Sequence, residues 1–489
     1  MKTIKPLTFL SYYLAIISGV LLVIANLFEA PYMGMACGLV LSASIVSFCV
    51  SDFTKRIGLS IFMACMFTFQ LGGVILPAII GDSDWTMGLS YHEYILTCTC
   101  LYISCVALML TSAFLESHQL AWGNVRSLDF RILNDSSYNV MTVQKWAFII
   151  CIISSPIAIA GEAQRMVYAI ANGYMSMYGD YTSSALVNRM QIVSRVSMFI
   201  GLATRPSKKR AWTYFVLGLP IPIMTLIEGS RSGIMIYILF YIYFFYSFSD
   251  WNRIKTSSKE SKKRKWMMIG IILILVCIGT PMLYIYGYSR VGHTTKSSDN
   301  PIMLILRFFA SQGGTARLIG WAERYKGKLP GTCYSLGSII DRIQGNNFAA
   351  FSVASAVNTN KFGSIMSYLD SPYNYTVLHI GVGSSYIAEV YYDFGFVGVI
   401  VVNIIIGYIL TLLSSYEKVG IIIKSFVFML FFYMMSIPRG SLLTPLDNIF
   451  SKSCLLTVFL IFFLSRRRRG IYEKSTSNPT DTRLSYRRR

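Results

Sequence analysis

The sequence predicts an all-α polytopic membrane protein with about twelve transmembrane helices and one large loop on the outer face. Three observations predict it. The 489 residues are 54% hydrophobic and only 14% charged, with a mean hydropathy of +0.53. That balance excludes an ordinary soluble domain. Apolar runs of span length, roughly 20 residues each, recur along most of the chain. Basic clusters alternate with these runs as the positive-inside rule requires, which puts both termini in the cytoplasm.

The spans follow in order. The first is expected near residues 7–27 and the second near 31–50. Lys55 and Arg56 mark an inner turn before a third span near 57–80. A small outer loop at 81–94 leads to the fourth, near 95–115. Residues 116–145 form a longer inner connection to a fifth span near 146–161. From Glu162 to Tyr178 the pattern is amphipathic and is expected to lie on the interface. The sixth span, near 185–204, contains Arg189 and Arg195, so it is expected to tilt or to line a cavity. The Arg205–Arg210 cluster marks another inner turn. Spans near 211–228 and 232–249 follow, joined by the outer turn Glu228-Gly-Ser-Arg-Ser-Gly233. The Ser/Lys-rich stretch 250–265 is an inner linker to a ninth span near 266–286. After the large loop come three spans near 395–413, 421–437 and 449–465, with a small outer loop at 438–448. The expected organisation is 1–286 for spans one to nine, 287–394 for the outer loop with membrane-surface helices, 395–465 for the last three spans, and 466–489 for a basic inner tail.

The net charge of +21 is then mostly topology, and nucleic acid is not an expected partner. The Arg466–Arg469 run and the tail suit anionic lipid heads. The cysteines sit mostly in spans, with Cys333 alone in the loop, and no pair has metal-ligand spacing. No metal site is expected. Cys98, Cys100 and Cys105 are expected to pack as small apolar residues. Processing chemistry for a cleavable signal peptide is not evident after residue 20.

Three segments carry chemistry. A loop as long as 287–378 without a span is usually functional. This one is basic: Arg290, Arg307, Arg317 and Arg324 stand among several lysines, against Asp299, Glu323, Asp341 and Asp370. Such an excess is unusual on an outer face. A solvated face with local ion pairs, Glu323 with Arg324 or Lys326, competes with an anion site using arginine's planar fork. In the 228–233 turn, Arg231 sits where a span meets headgroups; it either snorkels to lipid phosphate or binds a substrate phosphate, and Glu228 is placed to neutralise it. The third segment runs His379-Ile-Gly-Val-Gly-Ser-Ser-Tyr-Ile-Ala-Glu-Val-Tyr-Tyr-Asp-Phe-Gly-Phe-Val-Gly398. It crowds ionisable groups at a bilayer surface, where they cost free energy. A helix over 386–394 would put Glu389 and Asp393 on one face.

These segments, together with Gly-Gly-Thr-Ala-Arg317 in the loop, resemble O-antigen polymerases of the Wzy type over roughly residues 140–465. The resemblance implies a GT-C-like glycosyltransferase with a periplasmic loop in the bacterial inner membrane. A glycan on undecaprenyl pyrophosphate would move as a block onto a new lipid-linked repeat unit, releasing undecaprenyl pyrophosphate. Both lipid-linked donor and acceptor are implied partners, membrane lipids surround them, and a chain-length regulator protein is a candidate partner. No cofactor is implied. Charge grows on the leaving pyrophosphate, so pre-placed cations stabilise the transition state. Arg231, Arg290, Arg317 and Arg439 are the candidates. Glu389 and His379 are the candidate bases for the acceptor hydroxyl. Tyr386 and Tyr392 are candidates for covering sugar rings.

Two rivals belong to the same pathway chemistry. A lipid-linked oligosaccharide flippase would suit the span count and Arg189 and Arg195, but transporters often show repeated halves. Here the polar residues concentrate in one unrepeated loop. An O-antigen ligase uses the same donor with a different acceptor. A membrane sensor would lack a signalling domain.

Overall fold

In lipid every backbone polar group must be satisfied within its own segment, and this chain meets the demand with helices. A computed structural model describes residues 6–53, 55–117, 138–172, 181, 184–228, 231–247, 270, 275–289, 300–346, 348–413 and 420–466. No strand occurs among them; the one extended pairing is an isolated antiparallel bridge between Tyr138 and Arg466.

Eight helices among the described residues are long and apolar enough to cross a membrane, against about twelve expected. They are α1 (Pro6–Phe28), α2 (Pro31–Ser51), α3 (Ile57–Ile79), α4 (Tyr91–Ser117), α5 (Val140–Asn172), α7 (Lys208–Ile227), α14 (Tyr386–Leu413) and the segment Ile421–Arg439, whose main helix is α15 (Ile421–Met434). Two more expected positions carry shorter helices, α8 (Ser232–Ser247) and α16 (Lys452–Leu464). The expected sixth span forms α6 (Ala185–Ala203), a continuous helix N-capped by Ser184 that carries Arg189 and Arg195 within it. Of the ninth, the described part is a π-turn, Leu275–Gly279, leading into α9 (Thr280–Ser289).

Helix α5 corrects one expectation. Glu162 is not itself on the surface: it continues the same helix and is buried, accepting from Gln191 Nε2 on α6 at 2.5 Å, while residues 173–178 of the expected amphipathic run lie outside the described residues. Cys98, Cys100 and Cys105 are buried along α4, as their apolar context requires.

Buried polar contacts fix the bundle at both ends. Arg56 forks onto Glu116 at 2.8 and 2.7 Å, with its guanidinium 3.7 Å from the Phe48 ring centre. That pair ties the α2–α3 turn to the end of α4. At the other end Ser90 and Glu93 form a capping box on α4, the Ser90 N–H donating at 2.9 Å to the carboxylate and the Glu93 N–H at 3.3 Å to the hydroxyl. In mid-bundle, Asn403 on α14 donates to Ser104 on α4 at 3.1 Å and accepts from the Tyr386 hydroxyl at 2.7 Å.

The loop between α9 and α14 folds as a cap of short helices at the end where α4 starts. They are α10 (Pro301–Gln312), α11 (Arg317–Arg324), α12 (Gly337–Gln344) and α13 (Phe362–Asp370). Asp341 and Asp393 organise it as acceptors of backbone N–H groups. Asp341 holds Asn360, and Asp393 holds the N–H groups of Tyr334 and Ser335 at 3.1 and 2.7 Å. Burial pushes the Tyr334 hydroxyl up to about 12, so it stays a neutral phenol and accepts the Gly331 N–H. Arg324 docks the cap on the bundle, donating to Glu93 at 2.8 and 2.6 Å and to the Gly88 carbonyl. The local pair in the cap is Glu323 with Lys326, at 3.2 Å.

Candidate active site

Four segments converge where the cap meets the spans. The first is a π-turn, Phe67–Leu71, inside α3; such bulges re-aim side chains and recur at functional sites. The second is the 3₁₀ turn Gly313–Ala316 after α10. The third is Gly383 to Glu389, entering α14. The fourth is a 3₁₀ turn, Ile437–Arg439, with the residues after it.

Glu389 is the centre. It sits in the first turn of α14 and is 1% exposed. The Ser384 hydroxyl donates to its Oε1 at 2.7 Å, while the Ser441 hydroxyl and the Leu442 N–H donate to its Oε2, both at 3.0 Å. Ser384 and Ser441 are half-buried, so they stand between the carboxylate and the outside. Residues 386–394 are helical, which stacks Glu389 under Asp393. The helix breaks at Gly395 (φ 60°, ψ −153°) before the apolar stretch resumes.

Arg439 lies on the turn that supplies Ser441 and Leu442. Its side chain is exposed; its Nη1 donates to Gln312 Oε1 at 2.6 Å, and its guanidinium carbon is 5.9 Å from the Phe69 ring centre. Gln70 binds the segments together. Its Nε2 donates to Ser385 at 3.1 Å and to the Pro438 carbonyl, while its buried Oε1 has no hydrogen-bond partner among the described residues. Thr315 donates to the Phe69 carbonyl at 2.5 Å. Gly383 permits the turn through its backbone: its φ is +82°, a left-handed conformation that favours glycine, while a Cβ there would make only ordinary contacts with Thr315 and Arg439.

Arg317 is two residues beyond Thr315 and one-third exposed. Its guanidinium lies 4.7 Å from the Trp321 ring centre and 3.6 Å from Asp370. Arg439, Glu389 and the Thr315–Arg317 turn are thus brought together. The other sequence candidates are placed differently. Arg231 is part-exposed at the start of α8, and Glu228 meets Arg165 at 3.3 Å, with both carboxylates of the Glu162–Glu228 pair buried beside that one cation. Arg290 lies outside the described residues. His379 is half-buried with φ 54°, a strained backbone for a side chain of its size, and packs on Phe351 at 5.4 Å between ring centres. Tyr386 is wholly buried and bonded to Asn403; Tyr392 accepts the Leu329 N–H at 3.2 Å and packs edge-on against Tyr334. Both tyrosines therefore serve packing in this structure. Cys333 donates to Asp393 rather than to a second thiol. No group of three metal-ligating side chains occurs among the described residues.

Sequence reasoning placed Ser384 in the polar motif without giving it a role, and missed Gln70, Gln312 and Ser441. One signal was present for Gln70: it is an amide in the middle of an otherwise apolar span, where polar groups are costly. Nothing local marked the others.

Chemically, the arrangement offers an exposed cation, a second cation beside an aromatic face, and a carboxylate reached through a serine hydroxyl. It suits transfer from an anionic leaving group. No curated protein and no solved structure matches the chain. The sequence model of the O-antigen polysaccharide polymerase Wzy matches residues 7–468, nearly the whole chain. The chain therefore belongs to the O-antigen polymerase Wzy family, as a multi-pass membrane protein of lipopolysaccharide biosynthesis whose family activity is polymerisation of O-antigen repeat units.

Proposed function

We propose that the chain joins undecaprenyl-pyrophosphate-linked repeat units at the periplasmic face of the inner membrane. The growing glycan moves as a block to the non-reducing end of a new lipid-linked unit, and undecaprenyl pyrophosphate leaves. One observation supports this most: the turn that carries exposed Arg439 also supplies two of the three donors to Glu389. A leaving phosphate and an accepting base then share one rigid frame, which is what in-place transfer requires.

In this reading Arg439 and Arg317 hold the pyrophosphate oxygens and stabilise the charge that grows as the glycosyl bond breaks. Arg231 and Arg290 are further cations for the lipid phosphates. Glu389 takes the acceptor hydroxyl's proton. Ser384 is its exposed face: the acceptor proton passes to the Ser384 oxygen as the Ser384 proton passes to Glu389, at a separation of 2.7 Å. Gln70 and Gln312 keep the frame closed. His379 orients the loop that delivers Ser384. Fold class GT-C, cytoplasmic termini and coupling to a chain-length regulator belong to the same proposal.

Chromosomal deletion with gel analysis of the surface polysaccharide tests it. Core carrying a single repeat unit is the expected phenotype. Core carrying no repeat unit at all would instead indicate a ligase or a flippase, and would overturn the proposal.

A further inference from the structure

A cavity of about 1000 Å³ adjoins the candidate site. Small-molecule pockets typically span roughly 300–1,000 Å³, so this one is large. Its walls come mainly from α2, α3, α8 and α9, with Phe309 of α10. No Asp, Glu, Lys or Arg is among the described lining residues. Helix α3 is the most enclosed of the eight spans, yet Ala64 on it is exposed, because the cavity runs past it. Val46 and Val50 on α2 also line it and are 61% and 57% exposed. The space therefore communicates with the outside of the bundle, which in a membrane is lipid.

The cavity stops at the polar cluster. Phe67, Thr68 and Phe69 of the π-turn form that wall. The next residue is Gln70, bonded to Ser385 and Pro438. The Phe69 carbonyl accepts from Thr315, and its ring is 5.9 Å from the Arg439 guanidinium. A single aromatic residue thus separates a hydrocarbon-lined space from an exposed cation. A sugar would find few hydrogen-bond partners in such a space. A long hydrocarbon chain ending in an anion fits both halves.

We propose that this cavity holds the hydrocarbon chain of the lipid-linked donor, with its pyrophosphate at Arg439; this rests on the polymerase reading above. Lipid tails are as apolar as the cavity wall, so the chain gains little hydrophobic free energy by entering. The gain is orientation. A chain fixed in the cavity holds its pyrophosphate against the cation and its sugar against the Ser384–Glu389 pair.

The test uses the purified full chain in phospholipid nanodiscs and a polyprenyl pyrophosphate carrying a photoreactive diazirine on its chain. Labelling is expected on α2, α3 and α8, displaced by unlabelled polyprenyl pyrophosphate and not by added phospholipid. Ala64→Trp fills the cavity and should cut labelling at least tenfold. It should slow polymerisation of a long-chain donor to the same degree while leaving a short-chain donor unaffected. Met235→Trp on the facing wall should repeat that split, and a preserved thermal unfolding midpoint checks the fold. Labels on other helices while polymerisation proceeds would remove the tail site and leave the polymerase reading standing. So would displacement by phospholipid, or an equal loss with both donors. Wild-type protein that labels in the cavity yet polymerises no lipid-linked donor would overturn the polymerase reading, and this proposal with it.

Discussion

Gly73 and Gly313 meet backbone to backbone: a Cβ on Gly73 would stand 2.1 Å from the Gly313 carbonyl oxygen, and one on Gly313 would stand 1.9 Å from the Gly73 nitrogen. The contact joins α3 to the turn that carries Thr315 and Arg317. It sets how closely the cap approaches the spans, and so whether Gln70 can reach Ser385.

Substitution at this crossing should reverse the usual sign of a glycine change. Gly→Ala in a helix normally adds stability. Gly313→Ala must push two backbones apart and should cost about 1–3 kcal/mol, the range for overpacking. Gly314→Ala, with open space around it, should be close to neutral. Thermal unfolding of the two variants in detergent compares them; equal midpoints would mean that the crossing is looser than described.

Glu389→Gln should abolish polymerisation, a loss of roughly 10²–10⁴-fold for a general base. Ser384→Ala should slow it by a smaller factor, since it removes the relay but not the acceptor. His379→Gln should only weaken activity. Product ladders from purified enzyme and synthetic lipid-linked units give the readout. Near-normal ladders from Glu389→Gln, with none from His379→Gln, would exchange the two roles.

Arg439→Ala and Arg317→Ala should each lower the rate about ten- to a hundredfold, the scale of one charge-assisted hydrogen bond. Lysine at either position should restore little, because it cannot pair bidentately. Asp370→Asn is the informative control. The Arg317–Asp370 pair is more than a third exposed on the Asp side and 3.6 Å long. Such pairs contribute little to stability, so the variant should keep its unfolding midpoint while freeing Arg317 for phosphate. A stability loss matching that of a buried pair would contradict the assignment of Arg317 to substrate.

The cap should detach when its docking fork is lost. Arg324→Ala leaves the Glu93 carboxylate, 11% exposed, without its two strongest donors. Limited proteolysis should then cut residues 325–360 faster, with α1 to α4 still protected. Unchanged cleavage would show that Asp393 and Asp341 hold the cap unaided.

Topology can be read by labelling. Lys328→Cys in the cap should react with an impermeant thiol reagent in intact spheroplasts. Lys55→Cys, exposed beside Asp52 at the opposite end, should react only after permeabilisation. The reverse pattern would invert the proposed orientation.

The sequence by itself determined where helices run and which residues avoid lipid. Apolar run length located most of the spans, since an unsatisfied backbone in hydrocarbon is prohibitive. Period and spacing were enough to place Glu389 and Asp393 on one face of a helix over 386–394. The chain's basic loop and its Gly-Ser-Ser-Tyr segment were also legible, because arginines and carboxylates stand out against an apolar background. Partners were not legible. Glu228 looked set to neutralise Arg231 three residues away, yet it meets Arg165, 63 positions earlier by residue number. Arg324 turned from Glu323 beside it to Glu93 on another helix. Glu389 found Ser441 and Leu442 beyond the next span, and Tyr386, a candidate for covering a sugar ring, is buried with its hydroxyl on Asn403. Only packing decides these pairings. Long polar side chains take the nearest partner in space once helices have docked, and docking depends on close approaches such as Gly73 on Gly313, which no local pattern encodes.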